Sequence, residues 1–488
     1  MLGVQTPDVR SAIRTLVDSG GVPAWVTPAR WKIVRALYAI YDDAPLWIEE
    51  EGIKERASAL LSALEQAPDH ALRTEAYPID SLRRWVNAKR LDSGATAQAI
   101  ANADVLLTAA YVGYASDMLI GQVDPTSVSQ SWHIPARLSA VDSALVHTLQ
   151  DSSMAEGLGL MAPQDSDYAL LKTEYARYRG IAASGGWPRI EQGVSREELS
   201  SRLVAEGYDV SSKDSVFAVL AQWQSRHNLE PDGKIGRATF AALNVSAAER
   251  ARQIASNMER HRWLPRALGQ RYVYVNVPAF RLDAYDSGQR VLSMKVVVGA
   301  EYNGRSTPVF ADSMRYVVFR PYWKPTTNIV RNEILPRLKT DKTYLARNDM
   351  EWGVENGERV LRQRPGPQNA LGLVKFLFPN DFNIYLHDTN QKTLFARPVR
   401  AISHGCIRLE QPAKLAEYVL GWSADSVRAS MEAGPNNRYV AVPTRVPVYI
   451  VYFTAYERDG QLYFAEDVYR RDEGLKGKVS DDPTLLVP

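Results

Sequence analysis

Two grammars of apolar spacing divide this chain. In its first half, apolar positions recur every three to four residues, the period of helices with one buried face. Asp104 to Gly121 carries Leu106, Ala110, Tyr111, Tyr114 and Met118 at that spacing and stops at Gly121, with Pro125 beyond. Pro78 to Lys89 and Tyr168 to Ala183 read alike; in the second, Leu171, Tyr175 and Tyr178 are four and three apart, and Gly185-Gly186 ends the run. Such aromatic stripes serve the core before they serve a ligand, and residues 25–186 are predicted to be mostly helical. Residues 187–245 form a smaller helical unit. Ser195-Arg196-Glu197-Glu198 is a capping box, a second helix passes through Val216 to Gln224, and a turn at Asn228 to Gly233 leads to a third through Ala238 to Leu243. A second capping box, Ser246 to Glu249, opens a linking helix over 246–265 that Pro265 closes. Its Arg250, Arg252, Arg260 and Arg262 are read as a solvated face. His227 is read as structural, because zinc sites want three or four clustered ligands.

From Tyr272 the period falls to two. Tyr272 to Val277, Phe280 to Tyr285, Val291 to Val298, Arg315 to Phe319, Leu373 to Phe378, Phe382 to Leu386 and Val446 to Thr454 are predicted strands. Gly288 and Gly460 each follow polar turn residues, as hairpin connections require. The chain from 266 to 456 is therefore a mostly-β body, with 457–488 as a C-terminal extension. Between 321 and 369 the alternation breaks. Tyr322, Trp323 and Trp352 lie there among five prolines, with a short helix predicted over Asn332 to Lys339. An insertion of about fifty residues inside a β domain reads as a lid or binding loop.

Composition adds exclusions. A net charge of +2 gives no electrostatic ground for nucleic-acid binding. A single cysteine excludes an intrachain disulfide framework and any cysteine-rich metal site. The start, Met1 to Pro7, lacks the basic flank and continuous apolar core of an export signal, and no window of about twenty apolar residues predicts a spanning helix.

That single cysteine, Cys406, lies in Ser403-His404-Gly405-Cys406-Ile407-Arg408-Leu409. A free thiol, with a pKa of about 8.5, is mostly protonated at neutral pH, and a nucleophilic one wants cations or donors nearby. His404 and Arg408 are each two positions away and, in an extended segment, would share its face. Gly405 admits a tight bend and close substrate approach, with backbone amides able to point at an oxyanion. His387 closes the run Phe382 to His387 and could meet the thiol from a neighbouring segment; as a sequence feature it is equally a polar residue ending a strand.

His387, a gap of fifteen residues, Ser403-His404-Gly405-Cys406 and then Arg408 together resemble the signature of the L,D-transpeptidase (YkuD-type) catalytic domain. Pro321-Tyr322-Trp323 and Tyr385 resemble its long periplasmic subfamily. The helical run Asp104 to Pro125 is similar to the scaffold domain of that subfamily, and residues 187–245 to a type 1 peptidoglycan-binding module. The fold implied is a multidomain α+β chain: helical scaffold, small peptidoglycan-binding-like module, and mostly-β catalytic domain with an inserted lid. The resemblance implies Cys406 as acylated nucleophile and His387 as base. It implies the backbone carbonyl of Asp388 orienting the imidazole, and amides of His404, Gly405 and Cys406 forming an oxyanion hole. Arg408, Tyr385, Trp323 and Ser403 are implied substrate-binding residues. Many small members carry His-Gly where this chain has His387-Asp388, and the subfamily's serine near the lid entry is here Thr327.

The reaction implied is 3→3 cross-linking of peptidoglycan tetrapeptide stems through a thioester, with release of D-alanine and without metal or cofactor. The partners implied are donor and acceptor stem peptides, and carbapenems as acylating inhibitors. A membrane would enter only through a missing export signal or anchor, and the implied compartment is the periplasm. Two other readings stand beside this one: an L,D-carboxypeptidase using the same thioester, and a wall-binding scaffold with an idle site. A papain-like hydrolase normally places its cysteine before its histidine, the reverse of the order here.

Overall fold

Thr96 opens the longest helix, Ala97–Ile120, by accepting the Ala99 amide on its hydroxyl, and Gly121 closes it at φ 93°. Helices Pro28–Ile40, Glu55–Glu65, Ile79–Asn87 and Ser139–Gln150 pack around it. The computed structural model describes residues 6–19, 21–49, 52–87, 96–135, 139–151, 153–210, 215–301, 304–355 and 357–480. The last two positions of the helix expected over Pro78 to Lys89 lie outside them.

The sequence predicted no helix able to span a membrane, and one correction follows. Ala97–Ile120 is long and apolar enough to do so, but 83% of its most apolar window is buried among other helices. Asp104 explains why it belongs there. Fully buried, its carboxylate accepts the Tyr38 hydroxyl at 2.7 Å and the amides of Leu46 and Trp47 at 2.9 and 2.8 Å. A buried carboxylate is tolerated only with such partners.

Both capping boxes form, at Ser195/Glu198 and Ser246/Glu249. The small module closes its own core around Leu199, Leu203, Leu220, Trp223 and Leu243. His227 is buried within it. Its ring stacks on Trp223 at 3.8 Å between centroids, and its Nδ1 meets the Trp223 carbonyl at 2.7 Å.

The linking helix, Ala247–Trp263, contradicts its expected solvated face: Arg250, Arg260 and Arg262 are all buried. Arg262 reaches the Glu259 carboxylate at 2.6 Å and the Tyr168 hydroxyl at 2.8 Å. Arg260 pairs with Asp472 at 2.5 Å. Asn257 exchanges hydrogen bonds with Thr454 at 2.8 and 2.9 Å. The basic residues are therefore fasteners between the helical half and the β half, since a guanidinium brings several donors to carboxylates and carbonyls.

Nine strands form the main sheet: β1 (Arg271–Asn276), β2 (Arg281–Asp286), β3 (Gln289–Gly299), β4 (Phe310–Phe319), β5 (Val374–Leu377), β6 (Leu386–His387), β7 (Ala401–Ser403), β8 (Ile407–Leu409) and β9 (Arg438–Val451). Their order is β7-β3-β8-β6-β5-β4-β9-β1-β2, and β2 also pairs with β3, closing the ring. Most predicted strands occur. The one expected over Phe382 to Leu386 survives only as Leu386–His387. Asn380 captures the preceding residues in a turn, accepting the amides of Phe382 and Ile384 at 3.1 Å each and donating to the Ile384 carbonyl at 2.8 Å. Two helices that the strand pattern did not predict in the mostly-β body, Pro412–Leu420 and Ala424–Glu432, follow β8. Hairpin Ala455–Arg458/Gln461–Phe464 turns at Asp459-Gly460 and crosses the expected boundary at 456.

The interruption after β4 is a small folded unit. A helical run from Thr327 to Thr340 and hairpin Met350–Glu355/Glu358–Gln363 enclose Ile334, Met350 and Leu361. The helical half also touches the β body close to the cysteine. Trp132 bridges Val309, and the His133 ring lies 4.3 Å from that of Phe382.

Candidate active site

Cys406 occupies the bend between β7 and β8. Gly405 there adopts φ 112°, which L side chains rarely take. A Cβ at this position would also stand 3.1 Å from the Ile384 side chain. Ser403 fastens the bend from inside. Its hydroxyl donates to the Cys406 carbonyl at 2.7 Å and accepts the Gly405 amide at 3.1 Å. Thr307 fastens it from below, donating to the Gly405 carbonyl at 2.8 Å while accepting the Gly299 amide at 2.9 Å. The Tyr469 hydroxyl completes the brace, donating to the Gly299 carbonyl at 2.5 Å.

Strand alternation then sorts the neighbourhood. β6 and β8 run parallel, with Leu386 opposite Ile407 and His387 opposite Arg408; β5 runs antiparallel to β6, with Lys375 opposite His387. Val374, Phe376, Leu386, Ile407 and Leu409 are fully buried in the core. With period two, Lys375, Tyr385, His387, Cys406 and Arg408 take the other face.

On that face the His387 Nδ1 lies 2.5 Å from the Asp388 carbonyl. A carbonyl only accepts, so Nδ1 carries the proton and Nε2 keeps its lone pair. The Asp388 side chain secures this arrangement by accepting the amides of Leu373 at 2.8 Å and Thr389 at 2.7 Å, and by pairing with Lys392. Burial pushes the His387 pKa down to about 3, with Arg408 adding to the effect and the Asp388 carbonyl opposing it. The imidazole is neutral.

The Cys406 thiol is half-buried and donates to the Asn383 carbonyl at 3.7 Å. Burial pushes its pKa up to about 11, against opposing contributions from Tyr385, Arg408 and Lys375. The cations next to it therefore do not make it a resting thiolate, as the sequence argument required; burial outweighs them. The Tyr385 phenol is held above its ordinary value by burial and by Cys406. Its ring lies 5.6 Å from that of His387.

Other expected site residues take different positions. His404 leaves the shared face because residues 404–406 bend, and its Nε2 meets Glu333 of the small folded unit after β4 at 2.6 Å. Glu333 also pairs with Arg305 at 3.0 Å. Ser403 is 2% exposed with its hydroxyl engaged in the bend, so it positions the loop where substrate contact was expected. Trp323 pairs its backbone with Gln363 and packs into the lid's own core. Arg408 donates to Gln391 at 2.7 Å. Of the three amides expected to form an oxyanion hole, that of Gly405 is engaged by Ser403, while no acceptor for those of His404 and Cys406 occurs among the described residues.

Sequence reasoning missed Lys375, Thr307, Glu333 and Tyr469. Lys375 reads as a solvated strand residue, and the other three carry no local signal at all. Among the described residues no cluster of three or more His, Cys, Asp or Glu side chains is arranged to hold a metal ion.

Three family profiles match the chain: a scaffold domain at 32–174, a "Putative peptidoglycan binding domain" at 192–243, and the L,D-transpeptidase catalytic domain at 270–450. The chain thus carries a YkuD-type L,D-transpeptidase catalytic domain behind a scaffold and a peptidoglycan-binding domain. A Haemophilus influenzae protein named "Putative L,D-transpeptidase" is 28% identical over 242 residues, which cover 46% of this chain and 48% of that protein. The chain spans about half the length of that curated relative. The crystal structure of an L,D-transpeptidase (residues 123-326) from Xylanimonas cellulosilytica aligns over 54% of this chain and 97% of its own, at 16% identity and a TM-score of 0.17.

Proposed function

We propose that this protein is an L,D-transpeptidase that forms 3→3 cross-links in peptidoglycan outside the cytoplasm, in the periplasm. The observation supporting this most strongly is the placement of Cys406, at the entry to β8, beside His387 of the adjacent parallel strand β6, with the imidazole tautomer set by the Asp388 carbonyl. The Cys406 sulfur attacks the carbonyl joining meso-diaminopimelate to the terminal D-alanine of a tetrapeptide stem, and its proton passes to His387 Nε2. With a neutral thiol and a weakly basic imidazole, that transfer accompanies the attack rather than preceding it. The amides of His404 and Cys406 hold the oxyanion. The carbon–nitrogen bond breaks, and the proton goes from His387 to the leaving D-alanine amine. The amine of a second diaminopimelate then attacks the thioester and gives up a proton through His387, and the sulfur leaves as the thiol.

Intact-protein mass spectrometry with a disaccharide-tetrapeptide is the test. A covalent adduct lighter than the added donor by one D-alanine, absent from Cys406→Ala, is expected, followed by cross-linked dimer when acceptor is present. Release as free tripeptide would indicate the carboxypeptidase instead. No adduct would leave a wall-binding scaffold. A carbapenem should acylate the same thiol.

A further inference from the structure

Lys375 sits beside this chemistry without a partner. It is half-buried on β5, directly opposite His387, and its ammonium stands 5.9 Å from the centre of the Tyr385 ring. That ring's hydroxyl lies against the Cys406 thiol, and the Lys375 charge acts on the same sulfur. No ion pair or hydrogen bond engages its ammonium among the described residues. The nearby carboxylate, Glu355 on the lid hairpin, is already taken by Lys324 at 2.5 Å. Burial and the neighbouring Lys324 press the Lys375 pKa downward more than Cys406 and Glu355 hold it up. A partly desolvated ammonium gains most from a charged acceptor brought to it.

The substrate proposed above offers one close to its scissile carbonyl. In a tetrapeptide stem the terminal D-alanine carboxylate lies three bonds from the carbonyl that must meet Cys406. The side-chain carboxylate of the diaminopimelate lies six bonds away, on a flexible chain. We infer that Lys375 is the anchor for the terminal carboxylate of the donor stem, holding the scissile carbonyl over Cys406. This rests on the transpeptidase reading of the site and adds a specificity element: preference for a donor ending in a free acid at its fourth residue. Arg408 is the other cation on this face: it donates one bond to Gln391 and keeps an Nε unpartnered among the described residues, so a preference for the free acid that survives Lys375→Met would assign the carboxylate to Arg408 instead.

The experiment measures binding in the Cys406→Ala background, where no chemistry intervenes. Calorimetric titration compares L-Ala-γ-D-Glu-meso-diaminopimelyl-D-Ala as the free acid with its terminal carboxamide. The free acid should bind about 10- to 100-fold more tightly, the range expected of one charge-assisted hydrogen bond. Adding Lys375→Met should collapse the ratio to within about threefold, and Lys375→Arg should retain most of it, since charge rather than shape is what the carboxylate reads. Circular dichroism and an unchanged melting temperature check that each variant folds. A ratio near one in the Cys406→Ala parent, a ratio that survives Lys375→Met, equal weakening of both ligands, or no measurable binding of either would each overturn the assignment. Acylation of the unsubstituted protein is scored separately. Its absence would remove the transpeptidase reading while the binding ratio still decides whether Lys375 holds the carboxylate.

Discussion

His387 stands directly across from Arg408 in the parallel pairing of β6 with β8, so the proposed base carries a guanidinium as one of its two cross-strand neighbours. That cation, after burial, is the largest influence depressing the imidazole. Removing it by Arg408→Met should let His387 protonate at higher pH. The acid limb of the activity profile should move upward by about one pH unit, the usual scale for one adjacent charge. A pH-rate series on both proteins checks this; an unmoved acid limb would mean the two groups do not sense each other.

The thiol should react as a buried neutral one. With its pKa pushed to about 11, the rate of Cys406 alkylation by iodoacetamide should keep rising from pH 7 to pH 10, without a plateau near neutrality. Tyr385→Phe removes a group that favours the thiolate and should slow alkylation at pH 8 by about three- to tenfold. A plateau below pH 8 would show a preformed ion pair instead.

Ser403→Ala should damage activity without touching the nucleophile's chemistry. It removes the hydroxyl that joins the Cys406 carbonyl to the Gly405 amide, leaving two buried groups unpaired. A cost of about 1–3 kcal/mol is expected for such a loss. Urea denaturation measures it, while acylation should fall more than alkylation because the bend, not the sulfur, is what changes.

Glu333→Gln should loosen the lid. The carboxylate joins His404 of the nucleophile bend to Arg305, so the neutral isostere weakens two charge-assisted contacts at once. A bulky maleimide should then label Cys406 about three- to tenfold faster, with little change for small iodoacetamide. Equal acceleration of both would point to general loosening of the domain.

Stability should decline on acidification below about pH 6.5. His387 and His70 are both pushed down to about 3 in the folded protein, each chiefly by burial. The unfolded chain therefore takes up these protons first. Their contribution is fully present above the unfolded pKa of about 6.5 and is lost as pH falls toward 3, at up to about 1.4 kcal/mol per pH unit for each group. Thermal melts at pH 7, 5.5 and 4.5 read the slope, and His387→Gln should make it shallower.

The sequence by itself determined the elements whose cause is local. Ser195 and Ser246 meet their glutamates three residues later, inside one helical turn, so both caps could be read directly. The alternation from Tyr272 onward marked most strands because one face of each must be buried. Cys406, His387 and Asp388 were legible because a family motif carries them. Only the tertiary structure decided what burial and distant pairing control. It placed Arg250, Arg260 and Arg262 inside an interface, where charge pattern alone suggested water. It shortened the strand before His387, because Asn380 offered the backbone a competing turn. It left the Cys406 thiol protonated, because desolvation is set by everything packed around the sulfur and not by the residues two positions away. And it brought Lys375, Thr307, Glu333 and Tyr469 to the bend, from 31, 99, 73 and 63 positions away along the chain. Register across a sheet and contact between the inserted unit and the bend are long-range events, and no local period records them.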